Sequence, residues 1–159
     1  MEDRQECTEP RWLDSTEEDC WYTFAHVLSQ LPAALDSTMR RDTGISRFDF
    51  VVLSTLSMAA ERTLRLSEVA HHAGSTLSRL SNVVSRLEAR GWVRRRPDPA
   101  DGRYTLATLT DEGQNKVRAA APTHIDKVRR LVFDPLTKAQ QSHLGAASQR
   151  ILDALQAPR

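Results

Sequence analysis

Residues 66–91 read LSEVAHHAGSTLSRLSNVVSRLEARG, and this stretch decides the architecture of the chain. Ser67 is placed to cap a short helical segment over 68–73, whose Val69, Ala70 and Ala73 form a small apolar face. Gly74 supplies the left-handed residue that stops it. Ser75 or Thr76 then caps a second helix running to Arg90, and Gly91 ends that one. Leu80, Val83, Val84 and Leu87 fall on one stripe of this helix, and the opposite face carries Thr76, Ser78, Arg79, Asn82 and Arg86. Two short helices joined around a glycine outline a helix-turn-helix. Hydroxyls, an amide and guanidiniums are the side chains that reach base edges in a major groove or phosphates at its rim. Helix-turn-helix proteins read DNA with the N-terminal part of their second helix, which makes Ser75, Thr76, Ser78, Arg79, Asn82 and Arg86 candidate DNA contacts. For an isolated helix the same face is an ordinary solvated surface; the short helix before it and Gly74 favour the reading helix.

Immediately downstream, Trp92, Val93 and Arg94 are extended, 97–102 is a turn cluster of Pro, Asp and Gly, and 104–109 is rich in β-branched and aromatic residues. This is a β-hairpin, although Leu106 and Leu109 have opposite parity and leave its register open. Arg94, Arg95 and Arg96 precede the turn and Arg103 follows it. A ribbon beside a recognition helix can present an arginine to the narrow, electronegative minor groove. Asp101 is close enough to orient the Arg103 guanidinium, so Arg94, Arg96, Asp101 and Arg103 join the candidate DNA contacts. A solvated basic turn is the bland alternative.

Outward from this centre the chain is helical. Ser15 and Glu18 form a capping-box pattern, which starts a first helix near Thr16. Trp21, Phe24, Leu28, Leu31 and Leu35 then make a narrow apolar seam, which Pro32 should kink or break near Leu31. A second helix begins at Ser46 with Phe48, Val52, Leu53 and Leu56 on one face. After the hairpin, Thr110 opens a helix bent at Pro122, and Thr137 with Gln140 caps a last one whose Leu144, Ile151, Leu152 and Leu155 share a face. The fold class is mainly α with a small β-hairpin: a winged helix-turn-helix flanked by N- and C-terminal helices. The seam and the last stripe have no obvious partner within such a small core, and a two-fold mate would bury both.

The balance of charge fits this plan only when read locally. In 159 residues, 22 basic and 21 acidic side chains leave +1. Residues 1–20 hold eight acids against Arg4 and Arg11, a balance of −6; the remainder holds 20 basic against 13 acidic, a balance of +7. Residues 79–103 alone carry seven arginines against three acids. Cys7 and Cys20 are too few to staple a fold and read as thiols of a reducing compartment. No signal peptide and no membrane span is visible, so a soluble cytoplasmic protein is expected. The five histidines are dispersed and form no metal-ligand spacing, and no phosphate loop, nucleophile elbow or paired-carboxylate setting is found. Neither a metal, a cofactor nor an enzyme activity is expected.

Leu66-Ser67-Glu68-Val69-Ala70, Ser78-Arg79, the run from Arg86 to Arg95, Asp98-Pro99-Ala100-Asp101-Gly102-Arg103, and Leu109-Thr110-Asp111-Glu112-Gly113 together resemble the multiple-antibiotic-resistance regulator (MarR) family. The resemblance covers about residues 20–157. It implies a homodimeric winged-helix transcription factor bound to a pseudo-palindromic double-stranded DNA operator, with recognition helices roughly 34 Å apart. It implies an acidic extension over 1–15 and a domain over 16–157, in which 16–40 and 114–157 form dimerisation helices and 46–113 the DNA-binding region. Arg103 matches the family's wing arginine and Asp101 its partner, whereas Ser85 stands where many members have an aspartate. The resemblance also implies a repressor released by a small aromatic or phenolic ligand, with Trp21, His26, Arg47 and Phe48 as candidate pocket residues. Cys20 near the start of the first helix raises a redox-sensing alternative, and a winged-helix module for protein contacts without DNA is another.

Overall fold

Asp14, one residue before the expected cap, starts the first helix in the computed structural model, which describes residues 10–157. The Glu17 N–H donates to Asp14 Oδ1 at 2.8 Å and the Asp14 N–H donates to Glu17 Oε2 at 3.0 Å, so the capping box is shifted from the Ser15 and Glu18 pattern. Residues 1–9 of the acidic extension, with Cys7, lie outside the described residues. Helix α1 spans Ser15–Thr43 without a break at Pro32. Pro32 sits on an exposed turn, where water can satisfy the carbonyl that loses its donor, so the expected interruption near Leu31 does not occur. Burial begins late in α1: Trp21 and Leu28 are 53% and 54% exposed, whereas Leu35 and Met39 are in the core.

Gly44, with φ +70°, ends α1 and turns the chain into α2 (Arg47–Met58), whose Ser46 and Asp49 form a reciprocal capping box. A 3₁₀ turn at Ala60–Arg62 leads to β1 (Thr63–Arg65), a strand that the sequence reading lacked. The helix-turn-helix follows as α3 (Leu66–His72) and α4 (Leu77–Ala89), with Gly74 at φ +58° between them. The cap of α3 is Arg65 with Glu68 rather than Ser67, because Glu68 reaches back to the Arg65 N–H. Thr76 caps α4. The wing is β2 (Val93–Pro97) and β3 (Thr105–Leu109), and β3 lies between β1 and β2 in one antiparallel sheet. Helix α5 (Asp111–Val128) continues through Pro122 into a π-helical turn at Arg129–Phe133, and α6 (Lys138–Gln156) closes the chain from a Thr137 and Gln140 capping box. No described helix is long and apolar enough to cross a membrane.

The core gathers Met39, Leu53, Leu56, Val69, Leu80, Val84, Leu87, Val93 and Leu109. Pairing of Val93 with Leu109 and of Arg95 with Ala107 settles the register: Leu109 and Ala107 face the core, while Leu106 points to the other face of the sheet. Lys116 ties α5 to α1, its Nζ donating to the Thr43 carbonyl at 2.6 Å at the electronegative end of that helix.

Between α2 and α5, His124 packs on Phe50 with ring centroids 4.8 Å apart, and its Nδ1 is buried without a hydrogen-bond partner. Burial holds the imidazole below its ordinary value, and Arg47 pushes the same way. The folded state therefore binds fewer protons than the unfolded one as pH falls from about 6.5 through the folded pKa, and stability drops in that window. Thermal melts from pH 7.5 down to 5 are expected to show a larger decline for the wild type than for His124→Phe; parallel curves would refute this assignment.

Candidate nucleic-acid interface

The reading face of α4 begins with its cap. Thr76 Oγ1 accepts the Arg79 N–H at 3.3 Å and lies 3.3 Å from Ser78 Oγ, while Ser75 Oγ donates to the Thr76 carbonyl at 3.3 Å. These hydroxyls order the start of the helix and remain exposed, Thr76 and Ser78 most clearly. Leu77 is 52% exposed in the same turn, an apolar side chain of the type that meets thymine methyl groups. Asn82 is exposed one turn further on.

Two arginines of this face are held by α2. The Arg79 guanidinium lies 4.6 Å from the centroid of the Phe48 ring. Arg86 donates through Nη2 to Asp49 Oδ1 at 2.8 Å, with 61% of its own side chain exposed and only 8% of that of Asp49. Asp49 thus uses one carboxylate for two tasks, capping α2 through Ser46 and fixing Arg86 on α4. One bond leaves most of the guanidinium fork free for a phosphate or a base.

The wing arginines divide by strand parity. Arg95 faces the core side and is committed to Glu88 of α4, donating its N–H at 2.8 Å and its Nε at 2.7 Å. The Arg95 guanidinium holds the Glu88 carboxyl below the ordinary carboxylate range. Arg94 and Arg96 lie on the opposite face and are exposed. At the tip, Arg103 donates from Nε to Asp101 Oδ1 at 3.0 Å and from Nη2 to Oδ2 at 2.6 Å, and its N–H also reaches Oδ1 at 3.1 Å. This two-pronged grip lowers the Asp101 pKa and orients a guanidinium whose side chain is still 85% exposed.

Beside α4 lies a cleft of about 500 Å³, lined by Arg40 of α1, Ser46 and Phe48 of α2, and Ser78, Arg79, Asn82 and Arg86 of α4. It contains Phe48 of the four candidate pocket residues. Arg47 does not line it; its Nε is buried without a partner, and its charge acts on His124 of α5 and Asp36 of α1. Trp21 and His26 precede Arg40 by 19 and 14 residues of one helix, about 28 and 21 Å along its axis, so a single chain does not bring them to the cleft. Cys20 is exposed on the same N-terminal part of α1, flanked by exposed Asp19 and Trp21. Among the described residues no cluster of three or more His, Cys, Asp or Glu side chains is arranged to hold a metal ion.

The sequence reading missed Asp49, Glu88, Asp98 and Arg65, which touch the arginines or the wing rather than standing among the exposed contacts. Only Asp49 carried a local signal, its position three residues after Ser46.

Residues 43–103 match the model of the MarR family. The fold superposes on Sco3205, a MarR family transcriptional regulator from Streptomyces coelicolor solved in complex with DNA, with a TM-score of 0.89, 41% identity and 94% of each chain covered. The HTH-type transcriptional regulator PecS of Dickeya dadantii is 28% identical over 130 residues, 81% of this chain and 77% of its own. The transcriptional repressor MprA of Escherichia coli is 26% identical over 117 residues, 74% of this chain and 66% of its own.

Proposed function

The chain belongs to the MarR family and is a DNA-binding transcriptional regulator, and from that premise we propose a homodimeric repressor of a pseudo-palindromic operator, released by a small aromatic anion. The observation that carries this reading is a set of exposed arginines held in place before any contact: Arg79 and Arg86 held by α2, and Arg103 held by Asp101 at the wing tip. Side chains fixed before binding lose little freedom on contact with a phosphate, which makes them efficient contacts. The α4 face enters the major groove through Ser75, Thr76, Ser78, Arg79, Asn82 and Arg86, while Arg103 reaches the adjacent minor groove and Arg94 and Arg96 flank it. The second copy is called for by α6, which buries none of its residues, and by the exposed seam of α1. Residues 16–40 and 114–157 supply the two-fold contact and 46–113 the DNA contact. Repression follows where such a dimer, spanning two half-sites, occupies the path of a polymerase, and similarity to the repressor MprA supports it.

The cleft beside α4 suits the releasing ligand. Three arginines and the Phe48 ring offer a carboxylate its ion pair and an aromatic ring its stacking face. A ligand there competes for Arg79 and Arg86, the side chains the DNA needs.

Binding to a footprinted promoter duplex, titrated against salt, tests the DNA reading. With about six phosphates neutralised, log K should fall against log[salt] with a slope near −5. Arg103→Ala, which removes one arginine from each half of the dimer, should weaken binding roughly tenfold to a hundredfold and reduce that slope by about two, with the mass of the dimer unchanged. A salt-independent interaction would count for a protein-contact module, and Arg103→Ala binding like wild type would remove the wing from the DNA contact.

A further inference from the structure

Arg65 stands at the joint between the helix-turn-helix and the wing, outside every contact assigned above to DNA. Its N–H donates to Glu68 Oε2 at 2.8 Å at the start of α3, its Nε donates to Asp98 Oδ2 at 2.7 Å, and its guanidinium lies 4.5 Å from the centroid of the Tyr104 ring. Asp98 and Tyr104 are the two ends of the wing loop, and the Asp98 N–H closes that loop on the Tyr104 carbonyl at 2.9 Å. Asp98 is only 7% exposed, and its Oδ1 accepts the Ala100 N–H at 2.9 Å. The one guanidinium therefore holds one end of the loop with its edge and the other with its face, a combination that an ammonium lacks.

The tip hangs from these two ends. The Tyr104 N–H donates to the Asp101 carbonyl at 3.0 Å, and Asp101 in turn grips Arg103. The same Arg65 backbone caps α3, so the wing loop is referenced directly to the helix pair that carries α4. A loop released from this joint would have to be ordered on the DNA at the expense of affinity.

We infer that Arg65 is a positioning residue for DNA binding: by clamping Asp98 and Tyr104 it sets the reach and angle of Arg103, and it makes no DNA contact of its own. This rests on the wing reading proposed above. The test is fluorescence anisotropy with the full-length protein and a labelled duplex of about 30 base pairs, long enough for two half-sites one turn apart, selected from a random pool by the wild type. Arg65→Ala and Asp98→Asn should each weaken binding about tenfold, with cooperative melts and a dimer mass retained. Arg65→Lys should recover only part of the loss. In the Arg103→Ala background neither change should weaken binding further, because the group being positioned is gone. Should Arg65→Ala not fold, Asp98→Asn with and without Arg103→Ala decides alone, since that variant keeps the side-chain shape and the Ala100 bond. Losses that add in full to that of Arg103→Ala overturn the inference. Asp98→Asn binding like wild type while Arg65→Ala binds weakly also overturns it, and assigns Arg65 a phosphate. If Arg103→Ala itself binds like wild type, the wing reading falls and the inference with it; if Arg103→Ala is weak but Arg65→Ala and Asp98→Asn are not, only the inference falls.

Discussion

Replacing Ile151 and Leu155 together with glutamate is expected to yield a species of one chain's mass at micromolar concentration and to cut operator affinity by at least a hundredfold. The two side chains lie one turn apart on α6 and are 44% and 76% exposed within the chain, so their loss removes no packing from the core. Against a two-fold mate each substitution counts twice. Burial of such side chains is worth about 1.5–3 kcal/mol each, and four introduced carboxylates would also face one another across the contact. The operator then meets two independent half-site binders in place of a linked pair, and linkage is worth on the order of 10²–10⁴ in affinity. Light scattering and operator titration check both parts. A two-chain mass with unaltered DNA binding would place the dimer contact elsewhere.

Gly113→Ala should destabilise the fold by about 3 kcal/mol, the upper end of what overpacking costs, although alanine is the better helix former. A β-carbon at this position meets the Trp92 carbonyl oxygen at 2.2 Å and Leu109 Cδ1 at 2.7 Å. The Trp92 oxygen is backbone and already accepts the Thr110 N–H at 3.0 Å, while Thr110 Oγ1 both donates to the Gly91 carbonyl at 2.7 Å and accepts the Gly113 N–H at 3.1 Å. Nothing there can move without opening the end of the wing. A fall in melting temperature of roughly 6–12 °C is expected for a chain of this size. Gly145→Ala, with open space around the added carbon, should not destabilise the protein. Equal melting temperatures for Gly113→Ala and wild type would show that the wing root yields.

The features legible in the sequence were those set by local chemistry. Gly74 and Gly91 mark the ends of the two helices of the helix-turn-helix because a left-handed residue is needed there, and Thr110 and Thr137 announce their helices through side chains that cap them. The arginines of the α4 face and the wing were visible because exposed cations cluster for a reason. What escaped was decided by distant residues. Strand β1 is three residues long and follows Glu61 and Arg62, whose left-handed backbone no local pattern announced; it exists because β3 offers it an edge. Asp49 to Arg86 and Arg65 to Asp98 span 37 and 33 residues of chain, so spacing could not pair them. Pro32 does not break α1, because a ring on a solvated turn costs a helix less than one facing the core. Within one chain the length of α1 separates Trp21 and His26 from Arg47 and Phe48, a distance that residue type alone does not reveal.

That unbroken helix has a geometric consequence. Its 29 residues make a strut about 43 Å long, with the apolar seam toward one end and the DNA-binding core at the other. Pro32 sits about 17 Å from the core end, at the one rung where the ladder lacks a bond. A bend of about 10° there would carry the attached reading head sideways by about 3 Å, close to the roughly 3.4 Å step between neighbouring base pairs. In the proposed dimer, the spacer tolerated between half-sites would therefore depend on the stiffness of a single helical turn.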